Sequence, residues 1–254
     1  MASKNAPIAV FDSGVGGISV LRELVKLMPQ ENYLYFGDSA NAPYGEKTTT
    51  HVQQLTLNAA DMLLNRGAKA LVVACNTATA AAIHILRENY PHKIIIGIEP
   101  ALKMGADRFP RGRIGVMATQ VTLREEKFLH QTERFPSNQV FPIPAPGLVQ
   151  LIEGGHSQQI DGFLEDLLRP YVGKLDALVL GCTHYPFVKE RIAKILGPNT
   201  VLLDGGEGTA RQTKRCLEAA GLLSDGPGNI QIENSLSSGQ MIDLAWQLLK
   251  QGGL

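Results

Sequence analysis

Short apolar runs recur along the chain, and each closes on a small or polar turn. Ile8–Phe11 runs into Asp12-Ser13-Gly14-Val15-Gly16-Gly17, and Tyr33–Phe36 into Gly37-Asp38-Ser39. Leu71–Ala74 precedes Cys75-Asn76-Thr77, Ile94–Ile98 precedes Glu99-Pro100, and Ile114–Met117 precedes Ala118-Thr119. Leu178–Leu180 leads to Gly181-Cys182-Thr183-His184, and Val201–Leu203 to Asp204-Gly205-Gly206. These runs lack the alternation of a half-exposed strand, so they predict strands covered on both faces. Helical periodicity lies between them: over Ile18–Met28, over Thr48–Arg66 with Gly67 placed to stop it, and over an Ala-rich stretch up to Asn89. Strands alternating with helices predict βαβ units, parallel sheets and an α/β fold. Pro142, Pro144 and Pro146 predict a turn or crossover.

Two stretches echo each other. Ala70-Leu71-Val72-Val73-Ala74-Cys75-Asn76-Thr77 and Ala177-Leu178-Val179-Leu180-Gly181-Cys182-Thr183-His184 share one plan: an apolar strand, a small residue, a cysteine and a polar turn. Ile8-Ala9-Val10-Phe11-Asp12-Ser13 pairs in the same way with Ile114-Gly115-Val116-Met117-Ala118-Thr119. The cysteines are 107 positions apart and the other pair 106, which predicts a duplicated α/β unit. Strand tips collect at the carboxyl edge of a parallel sheet, where open α/β sheets bind ligands. If the two units face each other, Cys75 and Cys182 line opposite sides of one cleft. Racemisation at an amino-acid Cα needs a base on one face and an acid on the other. A free thiol titrates near about 8.5, so with modest tuning it serves as either. The alternative is that both are structural cysteines, a residue type at home in cores. Cys216, in the charged helical stretch Arg211–Leu217, has no partner motif and reads as incidental.

Composition narrows the field. The chain has 254 residues, 44% apolar and 19% charged, enough to bury a core and of a length that suits two small lobes. Lys+Arg and Asp+Glu both number 24, so no net charge recruits nucleic acid or an anionic membrane, and neither is expected as a partner. Three scattered cysteines form no disulfide framework and suit a reducing compartment. No apolar span is long enough to cross a membrane, and Met1–Pro7 is short and polar, so a cytoplasmic location is expected. The run Gly14-Val15-Gly16-Gly17-Ile18-Ser19 departs from the G-x-G-x-x-G spacing of dinucleotide sites. It suits instead a turn whose N–H groups approach a small carboxylate. Cys182 and His184 without a second cluster are a poor zinc set, and no metal is expected.

The runs Phe11-Asp12-Ser13-Gly14-Val15-Gly16-Gly17, Tyr35-Phe36-Gly37-Asp38, Pro43-Tyr44-Gly45, Ala74-Cys75-Asn76-Thr77-Ala78 and Leu180-Gly181-Cys182-Thr183-His184-Tyr185-Pro186 resemble those of the bacterial glutamate racemase family. Together they span about residues 8 to 208, and it is their combination and order that is specific. The resemblance implies two pseudosymmetric α/β lobes with mainly parallel sheets and an active site in the cleft between them. We place the lobes at 1–97 plus 210–254 and at 98–209, with the C-terminal segment returning to the first. It implies cofactor-independent interconversion of L- and D-glutamate for peptidoglycan synthesis, without pyridoxal phosphate, in a homodimer. The alternatives are an aspartate or other two-cysteine amino-acid racemase, or a non-catalytic small-molecule binder or inhibitor on the same fold.

By position, the resemblance makes Cys75 the proton acceptor for D-glutamate and Cys182 for L-glutamate. Asp12 would tune Cys75 or relay its protons; on residue type alone it reads equally as a helix N-cap. Ser13 would be a cap, a substrate ligand or both. Tyr44 and Gly45 would line the substrate, where sequence alone suggests an ordinary turn. Asn76 and Thr77 would hold a carboxylate at a helix N-terminus or simply cap it. Thr183 would bind the substrate ammonium or carboxylate, and His184 would assist Cys182. Thr119 and Thr122 would meet the side-chain carboxylate, although Ala118 stands where many relatives carry glycine. Glu153 matches a family position near the second cysteine. Its flank Ala145-Pro146-Gly147-Leu148-Val149-Gln150 departs from the usual pattern, which leaves a plain surface glutamate as the alternative. His51, His84, His92, His130 and His156 belong to no constellation.

Overall fold

A computed structural model describes residues 3–98, 101–124, 126–236, 239–251 and 253. The turn expected at Glu99-Pro100 lies outside them. Among the described residues nine strands form: β1 (Ile8–Asp12), β2 (Asn32–Gly37), β3 (Ala70–Val73), β4 (Ile94–Gly97), β5 (Arg113–Ala118), β6 (Gln139–Pro144), β7 (Ala177–Leu180), β8 (Val201–Asp204) and β9 (Asn229–Asn234). They build two sheets, ordered β4-β3-β1-β2-β9 and β6-β5-β7-β8, and every pairing is parallel.

Read from its other edge, the second sheet is β8-β7-β5-β6, the plan of β4-β3-β1-β2. The registers agree as well. Ile8 faces Ala70 across β1 and β3, and Ile114 faces Ala177 across β5 and β7. The repeat seen in sequence is thus a repeat of pairing, and it sets Cys75 and Cys182 two residues beyond equivalent strand ends.

Continuous apolar strands arise because both faces of each sheet are covered. Ile8 and Val10 of β1 join one cluster, and Ala9 and Phe11 join another. The first cluster runs on into the second sheet through Met117, Leu178 and Leu180, so the lobes share part of their core. Fully burying one such aliphatic side chain stabilises the fold by about 1.5–3 kcal/mol.

The helices start and stop where local chemistry directs. Thr48 caps Thr49–Asn65 by accepting from the His51 N–H at 3.3 Å. The chain leaves that helix through Gly67 at φ +88°, a conformation glycine adopts without strain. Ile18–Leu27 begins after Gly17 with no side-chain cap, so neither Asp12 nor Ser13 caps it.

Two elements depart from the expected pattern. Pro142 and Pro144 were expected to mark a turn but lie in β6, at the edge of its sheet. The next N–H that points to β5 is that of Ala145, which donates to Ala118 O at 3.2 Å. Pro142 and Pro144, in the opposite phase, therefore face the open edge, where a missing N–H costs nothing. β9 escaped notice because Asn229-Ile230-Gln231-Ile232-Glu233-Asn234 alternates and contains no apolar run. As an edge strand it needs only one well-covered face.

β9 pairs with β2, and the helix Gly239–Gln251 then packs on β9 and on Ile18–Leu27. This return is fastened by a fully buried ion pair. Lys69, at the foot of β3, meets Glu31, which also accepts from the Ser224 N–H at 2.8 Å. The ammonium donates in addition to the carbonyls of Lys4 and Leu222. The helix Gly206–Ala219 crosses the 209/210 position and lies against Ile18–Leu27. Among the described residues, no helix is long and apolar enough to cross a membrane.

Candidate active site

Turns leaving β1, β3, β5 and β7 converge on a cavity of about 280 Å³. Its wall includes Ser13, Tyr44, Gly45, Cys75, Asn76, Thr77, Thr119, Glu153, Cys182, Thr183 and His184. The sequence-predicted residues therefore come together, with two exceptions. Asp12 and Thr122 stand behind the wall and reach the site through other side chains. Among the described residues, no lysine or arginine lines the cavity, so an anionic ligand there meets hydroxyls, backbone N–H groups and one imidazole.

Cys75 is 5% exposed and forms the N-cap of the helix Asn76–Asn89. Its Sγ accepts from the Ala78 N–H at 3.4 Å and lies 3.5 Å from Ser13 Oγ. Burial and the nearby Asp12 carboxylate push the thiol up to about 12, against the pull of those two contacts. Because the cysteine is the cap, Asn76 is free of that duty. Its Oδ1 is buried without a hydrogen-bond partner among the described residues. An orphan acceptor at a cavity wall costs about 1–3 kcal/mol until a donor arrives.

Asp12 is fully buried. It accepts from the Gly14 N–H at 3.0 Å and from Thr183 Oγ1 at 3.1 Å, so its direct hydrogen bonds run across to the Cys182 turn. Burial raises its carboxyl above the usual range, partly offset by His184 and these hydrogen bonds.

Cys182, 7% exposed, has His184 Nδ1 at 3.8 Å. His184 Nε2 meets Glu153 Oε1 at 2.8 Å, and that carboxylate also accepts from the Val15 N–H at 3.3 Å. Burial alone would lower His184, but Cys182 and Glu153 outweigh it and hold the imidazole cationic well above its ordinary value. Burial likewise pushes Glu153 up, and its bond and charge pairing with His184 bring it below the usual range. Glu153 is thus no plain surface residue: it spans from the imidazole to the glycine turn after β1.

The far wall is a knot of hydroxyls. Thr77 Oγ1 lies 3.1 Å from Thr119 Oγ1 and 3.4 Å from Thr122 Oγ1, and the last two are 3.0 Å apart. Tyr44 is buried and donates to Asp38 Oδ2 at 2.7 Å, which fixes its loop over the cavity. From that loop Glu46 accepts from Gln150 Nε2 at 2.9 Å. Gly45 sits so close to Thr119 that a Cβ would come within 2.8 Å of it.

Sequence reasoning missed Tyr35, Asp38, Glu46 and Gln150. Tyr35 stood in a strand run and in a family-like run without a role, yet its hydroxyl donates to Gly14 O at 2.7 Å and shapes the glycine turn. Asp38 stood in the same family-like run and in a turn, again without a role. Glu46 and Gln150 touch across 104 positions, and no local pattern signals such a contact. Among the described residues, no group of three or more His, Cys, Asp or Glu has the arrangement of a metal site. His51, His84, His92, His130 and His156 are all exposed and away from the cavity; His130 pairs with Glu133.

The model of the Asp/Glu/Hydantoin racemase family matches residues 8–213. A glutamate racemase of Clostridium perfringens is 47% identical over 253 residues, covering 97% of each chain. The crystal structure of a Bacillus anthracis glutamate racemase superposes with a TM-score of 0.87 at 30% identity, over 97% of this chain and 94% of that one. The Thermus thermophilus glutamate racemase, solved in complex with beta-chloro-D-alanine, gives 0.85 at 37% identity with the same coverages.

Proposed function

Because the chain belongs to the Asp/Glu/hydantoin racemase family, we propose that Cys75 and Cys182 are the two bases of a racemase that needs no pyridoxal phosphate or metal. The reaction is the interconversion of L- and D-glutamate, an isomerase chemistry that supplies D-glutamate for peptidoglycan synthesis. The observation that carries the mechanism is that both thiols line one cavity from opposite, repeat-related strand ends.

With L-glutamate bound, the Cys182 thiolate takes the Cα proton and the Cys75 thiol delivers its own to the other face. The products are D-glutamate, a Cys182 thiol and a Cys75 thiolate. D-glutamate runs the same steps in reverse. The His184 imidazolium, held by Glu153, supports the Cys182 thiolate, and Asp12 acts near Cys75. Asn76 and Thr183 take the α-amino and α-carboxylate groups with Ser13, Tyr44 and Gly45 beside them. Thr77 and Thr119 take the side-chain carboxylate, with Thr122 behind them holding their hydroxyls. The Cα proton is weakly acidic, so these donors and a cavity closed to water must carry the carbanion-like transition state.

The test follows ellipticity of the reduced protein mixed separately with L- and D-glutamate in deuterated water. Both signals decay to zero and deuterium enters at Cα. Inertness toward glutamate with turnover of L-aspartate would overturn the substrate assignment. We propose further that the lobes are 1–97 plus 210–254 and 98–209, and that a homodimer works in the cytoplasm. Strand membership of the two sheets supports the division, and sedimentation tests the dimer.

Gly16 tests the tightness of the site. A Cβ there would stand 2.4 Å from His184 Nδ1 and 2.5 Å from Thr183 Oγ1, so Gly16→Ala displaces both. Misplacing catalytic groups by about 1 Å costs on the order of 100-fold, and kcat falls by about that much while far-ultraviolet dichroism is unchanged.

The Glu153–His184 pair predicts a pH dependence. The carboxylate is lost as pH falls through its lowered value, and the imidazolium as pH rises through its raised one. The charged pair therefore persists across the neutral range. Glu153→Gln removes the charge that raises His184, so the basic limb of the kcat/KM profile moves to lower pH and kcat/KM drops at least about tenfold. A basic limb that stays in place would separate this pair from the chemistry.

A further inference from the structure

The two thiols rest on unlike supports. Cys182 has the His184 imidazole at 3.8 Å with the Glu153 carboxylate behind it. Among the described residues, Cys75 meets neutral groups at its sulfur, Ser13 Oγ at 3.5 Å and the Ala78 N–H at 3.4 Å. The ionisable groups that face it are Asp12 from β1, Tyr35 from β2, Tyr44 from the loop and Cys182 from the opposite lobe. Each carries negative charge or none, so none of them supplies a cation to a thiolate on Cys75, and burial and the Asp12 carboxylate oppose it. A base at this position nevertheless has to pass through the thiolate.

We infer that Ser13 is a positioning residue for Cys75, its hydroxyl donating to the sulfur whenever the thiol loses its proton. The contact is reversible in sense, since either atom of the Ser13–Cys75 pair serves as donor. With a neutral thiol the S–H points to the hydroxyl oxygen; with a thiolate the hydroxyl rotates and donates. The Ala78 N–H and the first turn of Asn76–Asn89 add fixed dipoles of the same sense. One thiol is thus served by a mobile neutral dipole and the other by a fixed cation. This inference deepens the racemase reading and takes its catalytic meaning from it, while the contact itself is independent of the substrate.

The test isolates each thiol. In a Cys182→Ser/Cys216→Ser background, alkylation of Cys75 by iodoacetamide is followed by intact mass from about pH 7 to about pH 10. Removing a hydrogen bond to a charged group makes Ser13→Ala alkylate about tenfold more slowly at each pH below the thiol's titration. Ser13→Thr, which keeps a hydroxyl, restores the parent rate. In a Cys75→Ser/Cys216→Ser background, Ser13→Ala leaves the rate at Cys182 unchanged. An unaltered Cys75 rate in Ser13→Ala, or equal slowing at both thiols, overturns the inference. Loss of glutamate turnover in the parent would fault the racemase reading and leave this result standing; turnover without Ser13 dependence does the reverse.

Discussion

Cys75→Ser and Cys182→Ser each lower racemisation of glutamate by about 10²- to 10⁴-fold, the range general acid–base groups contribute. A serine hydroxyl occupies nearly the space of a thiol but gives up its proton far less readily. Both cysteines are buried and touch the apolar clusters, but serine keeps nearly their volume and shape, so both variants stay folded. The enantiomers are equal in free energy, so kcat/KM falls equally in both directions whichever thiol is changed. Direction shows up instead in exchange with solvent. Cys182→Ser retains the thiol facing D-glutamate, and in deuterated water it exchanges the Cα proton of D-glutamate without inverting it. Cys75→Ser does the same with L-glutamate. Nuclear magnetic resonance of the recovered amino acid reads both outcomes. If both single variants kept parental turnover, the two-base mechanism would be gone; if both exchanged the same enantiomer, the assignment of thiols to faces would be wrong.

The parts of this site legible in the sequence are those set by local pattern and repetition. Seven of the nine strands announce themselves as apolar runs because both sheet faces are covered, and the cysteines announce themselves because the repeat sets them at equivalent ends. The family resemblance, and not residue type alone, points to the Thr119 turn and to His184, and both line the cavity. What stays hidden is whatever depends on the two lobes meeting. Asp12 carries an expectation of service to Cys75, while its hydrogen bonds go to Gly14 and, across the lobes, to Thr183. Glu153 gains its partner from a turn 31 positions away, despite a flank that argued for a surface residue. Asn76 read as a carboxylate holder or a plain cap, and only the geometry shows that Cys75 is the cap and that Asn76 Oδ1 has no partner among the described residues. The edge strands β6 and β9 were illegible for a different reason: an edge tolerates proline and polar alternation that a central strand does not.

Lys69→Met destabilises the fold by about 3–5 kcal/mol, because it leaves the buried Glu31 carboxylate without its cation. Both side chains are wholly inaccessible, and the pair joins segments that sequence separates: residues 4, 31, 69, 222 and 224. For a domain whose total stability is about 5–15 kcal/mol, that loss is a large fraction. At roughly 2–4 °C per kcal/mol for a chain of this size, Tm falls by roughly 6–20 °C. Calorimetry reads the shift. A double variant, Lys69→Met with Glu31→Leu, recovers part of it, since no buried charge is left unpaired. Recovery is incomplete because the Lys4 and Leu222 carbonyls and the Ser224 N–H lose partners too. The consequence for the site is indirect and separable. β9 enters the sheet beside β2, whose Tyr35 hydroxyl holds the Gly14 carbonyl of the glycine turn. Below its lowered Tm the variant therefore keeps its kcat, while hydrogen exchange at Asn229–Asn234 accelerates before that of β1 or β3. A loss of under about 1 kcal/mol in Lys69→Met would show that the ion pair does not fasten the C-terminal return. A fall in kcat in the fully folded variant would show that the clasp reaches the glycine turn through β2.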